Sequence, residues 1–289
     1  MTLCIAWKDK QFVSFSSDSR ISNSLGKHTD VGIKVMSIPV RIDNTVPSET
    51  RVESTAYQHR IGICYCGDTL AAHLIKETLQ EQLLNLQYLP LYNELSFNGI
   101  CELIGKVAAE IASSIKRDLD WDDPSVELLV GGFCPAEARL MVNWMRILDG
   151  KDGFKANFQE VLRNEGDYVV LGTGKAKADS IIAKELVPPN YKLMGVLRKV
   201  CLDDSETTVG GFIQYGRFVG QDFYMMGVQD FRVDDKGGFE IIYTWRGTNL
   251  FSTDAKYGTE SLVLTGNFIM PFHDEINDTL WGKGNWPPK

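Results

Sequence analysis

No stretch of the 289 residues stays apolar for the roughly 18 positions that a membrane helix needs. The first residues carry neither the charged nor the hydrophobic segment of a secretory signal, so the expected location is the cytoplasm. Histidine is scarce: four residues, at 28, 59, 73 and 273, with no HxxxH spacing. The six cysteines, at 4, 64, 66, 101, 134 and 201, include no CxxC pair and no disulfide-like framework. A zinc site is therefore not indicated, and the thiols read as reduced, small buried residues. There is no basic stripe, and the formal net charge is −8, which argues against nucleic acid as a partner. With 44% hydrophobic and 24% charged residues, the composition is that of a soluble globular chain long enough to bury a substantial core.

What the chain does have is concentrated at its start. Thr2 to Trp7 places Leu3, Ile5 and Trp7 on one side of a strand, and Gln11 to Asp18 reads as a second strand filled by Phe12, Val13 and Phe15. If Asp9 and Lys10 form a two-residue hairpin loop, Thr2 faces Ser17 and Asp18 faces Met1. Removal of Met1 would leave Thr2 with a free α-amine of ordinary pKa about 7.7–8.0, a base built in beside its own hydroxyl. Asp18 follows Thr2 by sixteen residues, and Lys34 follows Asp18 by sixteen more.

Residues 21–32 read as a loop, Ile33 to Ile38 as a strand, and 39–58, with Pro39 and Pro47, as a long loop or insertion before the strand Arg60 to Cys66. A helix capped by Asp68 carries Ile75, Leu79, Leu83 and Leu86, and another after Ser96 carries an apolar stripe from Ile100 to Ile115. Strands are expected at Val126–Phe133, Arg139–Met145 and Tyr168–Leu171, then helices at Lys175–Leu186 and Tyr191–Cys201, separated by Pro188-Pro189. Strands at Gly211–Tyr215, Asp222–Val228 and Phe239–Trp245 follow, with a turn at 234–238. That order suits an α+β fold of two stacked antiparallel sheets, each covered by helices. Residues 1–245 are expected to form one domain and 246–289 an extension. That extension, with Trp281 and Trp286, packs on its own domain or on a neighbouring subunit. Gly172-Thr173-Gly174-Lys175 lacks the third glycine and the spacing of a phosphate loop.

Thr2, Asp18, Arg20 and Lys34, followed by Gly67-Asp68-Thr69-Leu70-Ala71-Ala72, resemble proteasome β-type subunits and their bacterial relatives, the Anbu-like branch more than the eukaryotic one. Gly172-Thr173-Gly174 is similar to the family's Gly-Ser-Gly at a helix start, and Asp204-Ser205 with Gly210-Gly211 to its Asp-Ser segment. The resemblance extends to about residue 245. It implies a four-layer αββα sandwich, a threonine hydrolase cleaving peptide or amide bonds, self-assembly into a ring or spiral, and no metal or organic cofactor. By resemblance Thr2 is the nucleophile, Lys34 the positive charge beside it, Asp18 the group that fixes Lys34, and Gly67 the oxyanion N–H donor. Thr173 stands where the family has Ser; Asp204, in competition with Asp203 and Ser205, would support the amine and its water. Tyr65, with Ile21, Gly32 and Thr69, would line the first specificity pocket and make it shallow. Two alternatives keep this fold: a catalytically inactive scaffold ring, and a small-molecule amidase or acylase.

Overall fold

An apolar run from Leu3 to Trp7, buried on both faces, sets the first sheet between two layers, and two capped amphipathic stripes set the helices against the second. The computed structural model describes residues 2–10, 12–23, 26–45, 55–89, 94–121, 123–150, 153–185, 192–233, 238–250, 266–272 and 275–276. In chain order come β1 (Leu3–Lys8), β2 (Val13–Ser17), β3 (Ile21–Ser22), β4 (His28–Thr29), β5 (Val35–Asn44) and β6 (Thr55–Gly67). Next are α1 (Thr69–Gln82), β7 (Leu86–Tyr88), α2 (Phe97–Leu119), β8 (Val126–Cys134), β9 (Arg139–Gly150), β10 (Gly153–Val161) and β11 (Tyr168–Gly172). The chain continues through α3 (Lys175–Glu185), α4 (Lys192–Cys201), β12 (Gln214–Val219), β13 (Asp222–Val233), β14 (Phe239–Trp245), β15 (Thr248–Asn249) and β16 (Phe268–Ile269).

The fold is mixed α+β, with largely antiparallel sheets. One sheet runs β11-β1-β2-β12-β13-β14-β15, with β16 alongside β13, and the other runs β10-β9-β8-β6-β5-β7. Three apolar clusters follow from strand alternation. Ile63, Tyr65, Leu128 and Met145 pack with Ile75, Leu79 and Ile104 of α1 and α2. Leu3, Ile5 and Trp7 pack with Ala178, Met194 and Leu197 of α3 and α4. The intervening positions Cys4, Ala6 and Phe15 meet Cys64, Cys66 and Leu129 from the other sheet. Both helix caps form as their sequence suggests. Asp68 accepts from the N–H of Ala71 at 2.7 Å, and Ser96 from that of Gly99 at 3.3 Å.

Four local expectations are corrected. The first hairpin loop spans Asp9 to Phe12, closed by the Asp9 N–H on the Phe12 carbonyl at 2.9 Å and the Phe12 N–H on the Asp9 carboxylate at 2.7 Å. The register therefore slides to Cys4 opposite Ser17, and Asp18 meets Leu3 rather than Met1. The stretch from 39 onward continues β5 through Pro39, which lies opposite Arg60. The Arg41 N–H leaves the sheet for the Leu83 carbonyl, and Pro39, two residues earlier, points its nitrogen the same way. No ladder hydrogen bond is lost there. Leu86 leaves the helical stripe because α1 ends at Gln82, and it pairs with Ile42 as the start of β7. β12 begins at Gln214 rather than Gly211, because Gly211 at φ +77 belongs to a loop around Ser19.

Beyond residue 245, β15 and β16 extend the first sheet, and Phe272 and Ile276 join the α3/α4 cluster. Pro47, Pro188-Pro189, the 234–237 part of the expected turn, Trp281 and Trp286 lie outside the described residues. Among the described residues no helix is long and apolar enough to cross a membrane.

Candidate active site

The slide in register brings Asp18 under the first residues of the chain. Asp18 is fully buried at the end of β2, and its carboxylate gathers four donors. The Lys34 ammonium at 2.8 Å and the Leu3 N–H at 2.9 Å share Oδ1, while the N–H groups of Arg20 at 3.1 Å and Gly210 at 3.2 Å reach Oδ2. Lys34 is 1% exposed. Burying such a pair is costly unless the remaining lone pairs are satisfied, and three backbone donors do that here. The ammonium is thereby tied through one carboxylate oxygen to the residue next to Thr2.

Gln214 holds the pair from the opposite side. Its carbonyl oxygen accepts the Lys34 N–H at 3.0 Å and the Val35 N–H at 3.3 Å, while its amide donates to Gly32 O at 2.5 Å and Asp18 O at 3.4 Å. The Arg20 guanidinium closes on both Asp30 oxygens, at 2.8 and 3.1 Å, outside the buried pair. The Arg20 side chain, chiefly through its hydrogen bonds, holds the Asp30 carboxyl below its usual range.

Thr2 is buried at the edge of a cavity of about 1170 Å³ whose lining includes Cys66, Gly67, Gly172, Thr173, Trp144 and Arg146. Thr173 Oγ1 lies 3.3 Å from the Thr2 nitrogen and 3.0 Å from the Thr208 hydroxyl. Gly172 and Gly67 are needed where they stand. At φ +96, a Cβ on Gly172 would overlap the Thr2 carbonyl; at φ +108, one on Gly67 would come 2.5 Å from the Ser125 carbonyl oxygen. Cys66 shares the cavity wall, but burial above all raises its pKa far beyond the ordinary thiol range. The thiolate form needed for attack is therefore suppressed.

The residues singled out in the sequence thus fall into two places. Thr2, Gly67 and Thr173 line one cavity, with Asp18 and Lys34 buried behind Leu3. Ile21, Gly32, Tyr65 and Thr69 are outside that lining. Gly32 packs against the Ile21 side chain, and Tyr65 points into the cluster beneath α1. Asp204 is exposed in the turn after α4, whereas Asp203 pairs with Lys177 and Ser205. Lys177 is the main reason the Asp203 carboxyl lies well below its usual range. Thr208 is the residue from that stretch that meets Thr173. Sequence reasoning missed Thr208 and Gln214. No pattern in the sequence marks Thr208, which lies two residues before Gly210 in a polar stretch. Among the described residues no group of three or more His, Cys, Asp or Glu is placed to hold a metal ion.

No family model matches the sequence, and no curated protein does. Solved structures do. Anbu (ancestral beta-subunit) from Yersinia bercovieri is 20% identical, with a TM-score of 0.52 over 77% of this chain and 86% of that one. The Anbu complex from Pseudomonas aeruginosa, solved as a helical assembly, is 17% identical, with a TM-score of 0.53 over 78% and 86%. The Anbu (Gly-1) mutant from Hyphomicrobium sp. strain MC1 is 14% identical, at 0.50 over 75% and 81%. At such identities the likeness is one of fold. It spans most of this chain, and its members are proteasome-β-like bacterial homologues.

Proposed function

We propose, from the fold shared with Anbu proteins and the geometry around Thr2, that this chain is a threonine hydrolase of the N-terminal-nucleophile type. It acts on peptide or amide bonds once Met1 is removed. The three apolar clusters, one under each helix pair and one between the sheets, support a four-layer αββα sandwich over residues 1–245, with 246–289 as an extension. The observation that carries the catalytic reading is the shared Asp18 oxygen, which fixes the Lys34 ammonium one residue from Thr2.

In the acylation step the Thr2 hydroxyl oxygen attacks the scissile carbonyl, and its proton passes to the Thr2 α-amine. Lys34 stabilises the developing alkoxide, and Asp18 keeps that charge in place. The tetrahedral oxyanion is met by the Gly67 N–H at the corner between β6 and α1, where positive φ opens the backbone to the substrate. Collapse expels the amine, which takes the proton back from the α-ammonium, and leaves an ester on Thr2. Water then attacks the ester, with the same amine as base, and releases the acid. Thr173, backed by Thr208, orients the α-amine through the contact it already makes with the Thr2 nitrogen. The steps use only side chains, the Gly67 N–H, the terminal amine and water, so no cofactor is required.

The helical assembly of the Pseudomonas aeruginosa neighbour supports self-association of this chain; the proposed form is a ring or open spiral, and the proposed location the cytoplasm. Turnover of a panel of peptide amides, short and long, tests the catalytic reading. Thr2→Ala and Lys34→Ala each lower the rate by about 10³-fold or more while the fold persists. Unaltered rates in both variants overturn it and leave the scaffold. Cleavage confined to short, non-peptide amides identifies the amidase alternative.

A further inference from the structure

The cavity beside Thr2 runs out between two sheet edges. β11 is the last strand of one sheet and β10 of the other, and neither outer edge is paired among the described residues. Tyr168 and Val170 come to the lining from β11, and Trp144, Arg146 and Gln159 from β9 and β10. The free groups of β11 follow from the ladder. Leu3 turns its N–H to the Asp18 carboxylate and its carbonyl to the Asp18 N–H, away from β11, and the Lys8 N–H reaches the Asp167 carbonyl at 3.0 Å. Antiparallel alternation between those points leaves the N–H and C=O of Tyr168 and Val170 on the outer edge. Such an edge is a template for an extended peptide.

Across from that edge stands a cation without a counter-ion. Arg146 is exposed and makes no ion pair among the described residues. Its guanidinium lies 4.9 Å from the centre of the Trp144 ring. Trp144 is itself fixed by its indole N–H on the Glu127 carboxylate at 2.9 Å and by packing against the cluster between the sheets. Glu127 faces Arg146 across the ladder, yet its oxygen is taken by the indole. The other charged groups of the lining are engaged: Lys175 with Asp179, Asp68 with the Ala71 N–H and Asp123 with the Ser125 N–H. Gln159 faces Trp144 from β10 and brings a carboxamide to the same face of the sheet. A stacked guanidinium keeps its in-plane N–H donors open to a carboxylate.

The distance to the nucleophile can be counted in strands. Cys66 lies against Gly172, which abuts Thr2: a Cβ on Gly172 would come 3.5 Å from the Cys66 Cβ and overlap the Thr2 carbonyl. Cys66 faces Glu127 and Glu127 faces Arg146, so two strand spacings, about 10 Å, separate Arg146 from the wall behind Thr2. An extended chain covers that in about three residues. The chemistry fixes which end of the substrate lies there. The Thr2 amine, which hands its proton to the departing amine, is held by Thr173 directly after β11, so the leaving group is on the β11 side. We propose that Arg146, stacked on Trp144 with Gln159 alongside, reads a carboxylate two or three residues beyond the scissile bond, on the leaving side of a peptide laid along the edge of β11. The inference rests on, and deepens, the reading of Thr2 as nucleophile. The favoured leaving groups are short fragments that carry the carboxylate at their chain end or on an Asp or Glu side chain, where the guanidinium meets it with two parallel N–H bonds. With a net charge of −8 the protein as a whole does not draw in acidic peptides, so this preference has a local source.

The test separates binding from turnover. Full-length Thr2→Ala protein is titrated calorimetrically at pH 7 with fragments that mimic leaving groups: Ala-Ala-Ala and its C-terminal amide, then Ala-Glu-Ala-amide and Ala-Gln-Ala-amide. In at least one of the two pairs the carboxylate is expected to bind about tenfold more tightly than its neutral counterpart. Preference within the first pair assigns the chain end, and within the second an acidic side chain. The ratio falls to near one in the background of Arg146→Gln, and part of it survives in that of Arg146→Lys. Equal binding within both pairs, no binding of any fragment, or a ratio untouched by Arg146→Gln overturns the site. Carboxylate-selective binding without turnover of any peptide by the Thr2 protein sinks the nucleophile and leaves the site. Turnover at Thr2 that is indifferent to carboxylates on the leaving side does the reverse.

Discussion

Replacing Asp18 by Asn keeps the volume at the centre of the site and removes one charge, so its consequences can be worked from the four donors on that carboxylate. Asn can still accept from Lys34 and Leu3 through one oxygen. Its NH₂ group then faces the N–H groups of Arg20 and Gly210, donor against donor. The Lys34 ammonium, 1% exposed, loses its carboxylate. Breaking a buried pair on one side costs about 3–5 kcal/mol, which lowers Tm by roughly 6–20 °C in a chain of this size. Lys34→Met should cost less, about 1–3 kcal/mol, because Asp18 keeps three backbone donors. The double variant Asp18→Asn/Lys34→Met should be more stable than Asp18→Asn alone, since no uncompensated buried charge remains. Urea unfolding at pH 7 of the three variants reads this directly. Equal costs for the two single changes, or strict additivity in the double, would refute the view that the pair is held by backbone donors on the carboxylate side.

Three further outcomes are expected. Gly172→Ala forces a Cβ onto the Thr2 carbonyl at positive φ, so it should cost about 1–3 kcal/mol in thermal unfolding and abolish labelling of Thr2. Thr173→Val, nearly isosteric, removes the hydroxyl on the Thr2 nitrogen and should slow peptide-amide turnover about tenfold to a hundredfold without a large change in Tm. Asp30 has a folded pKa lowered chiefly by its hydrogen bonds to Arg20, so its stabilisation is present above the ordinary carboxylate pKa of about 3.9 and fades as pH falls through the lower folded value. Asp30→Asn should therefore be less stable than the parent at pH 7, by no more than about 1 kcal/mol because the pair is partly solvated. The two unfolding curves should converge as pH falls below the lowered pKa of Asp30.

The elements that were legible carried two signals at once. α1 and α2 each joined an apolar stripe to a capping residue, Asp68 or Ser96, and both caps are made. The pairing of Asp18 with Lys34 was readable only through the sixteen-residue spacings, because the residues between them form a loop with two short strands and no periodicity. The first hairpin was misplaced by two residues because loop length is decided by Asp9 folding onto Phe12, and a polar tetrad does not announce that. Pro39 looked like a breaker, and it is harmless because its nitrogen faces away from β6. Gln214 was invisible. It sits in a run that reads as an ordinary strand start, and its role depends on two loops, at Gly32 and Asp18, meeting its amide from distant parts of the chain.

The account stands or falls on whether residue 2 is a free amino terminus whose hydroxyl forms a covalent bond. Intact mass analysis of the native protein, before and after incubation with a threonine-directed peptide electrophile, measures both. The expected result is a chain lacking Met1 that gains one adduct, mapped to Thr2 and absent from Thr2→Ala. A chain that retains Met1 in working material, or an adduct that persists in Thr2→Ala, would contradict it.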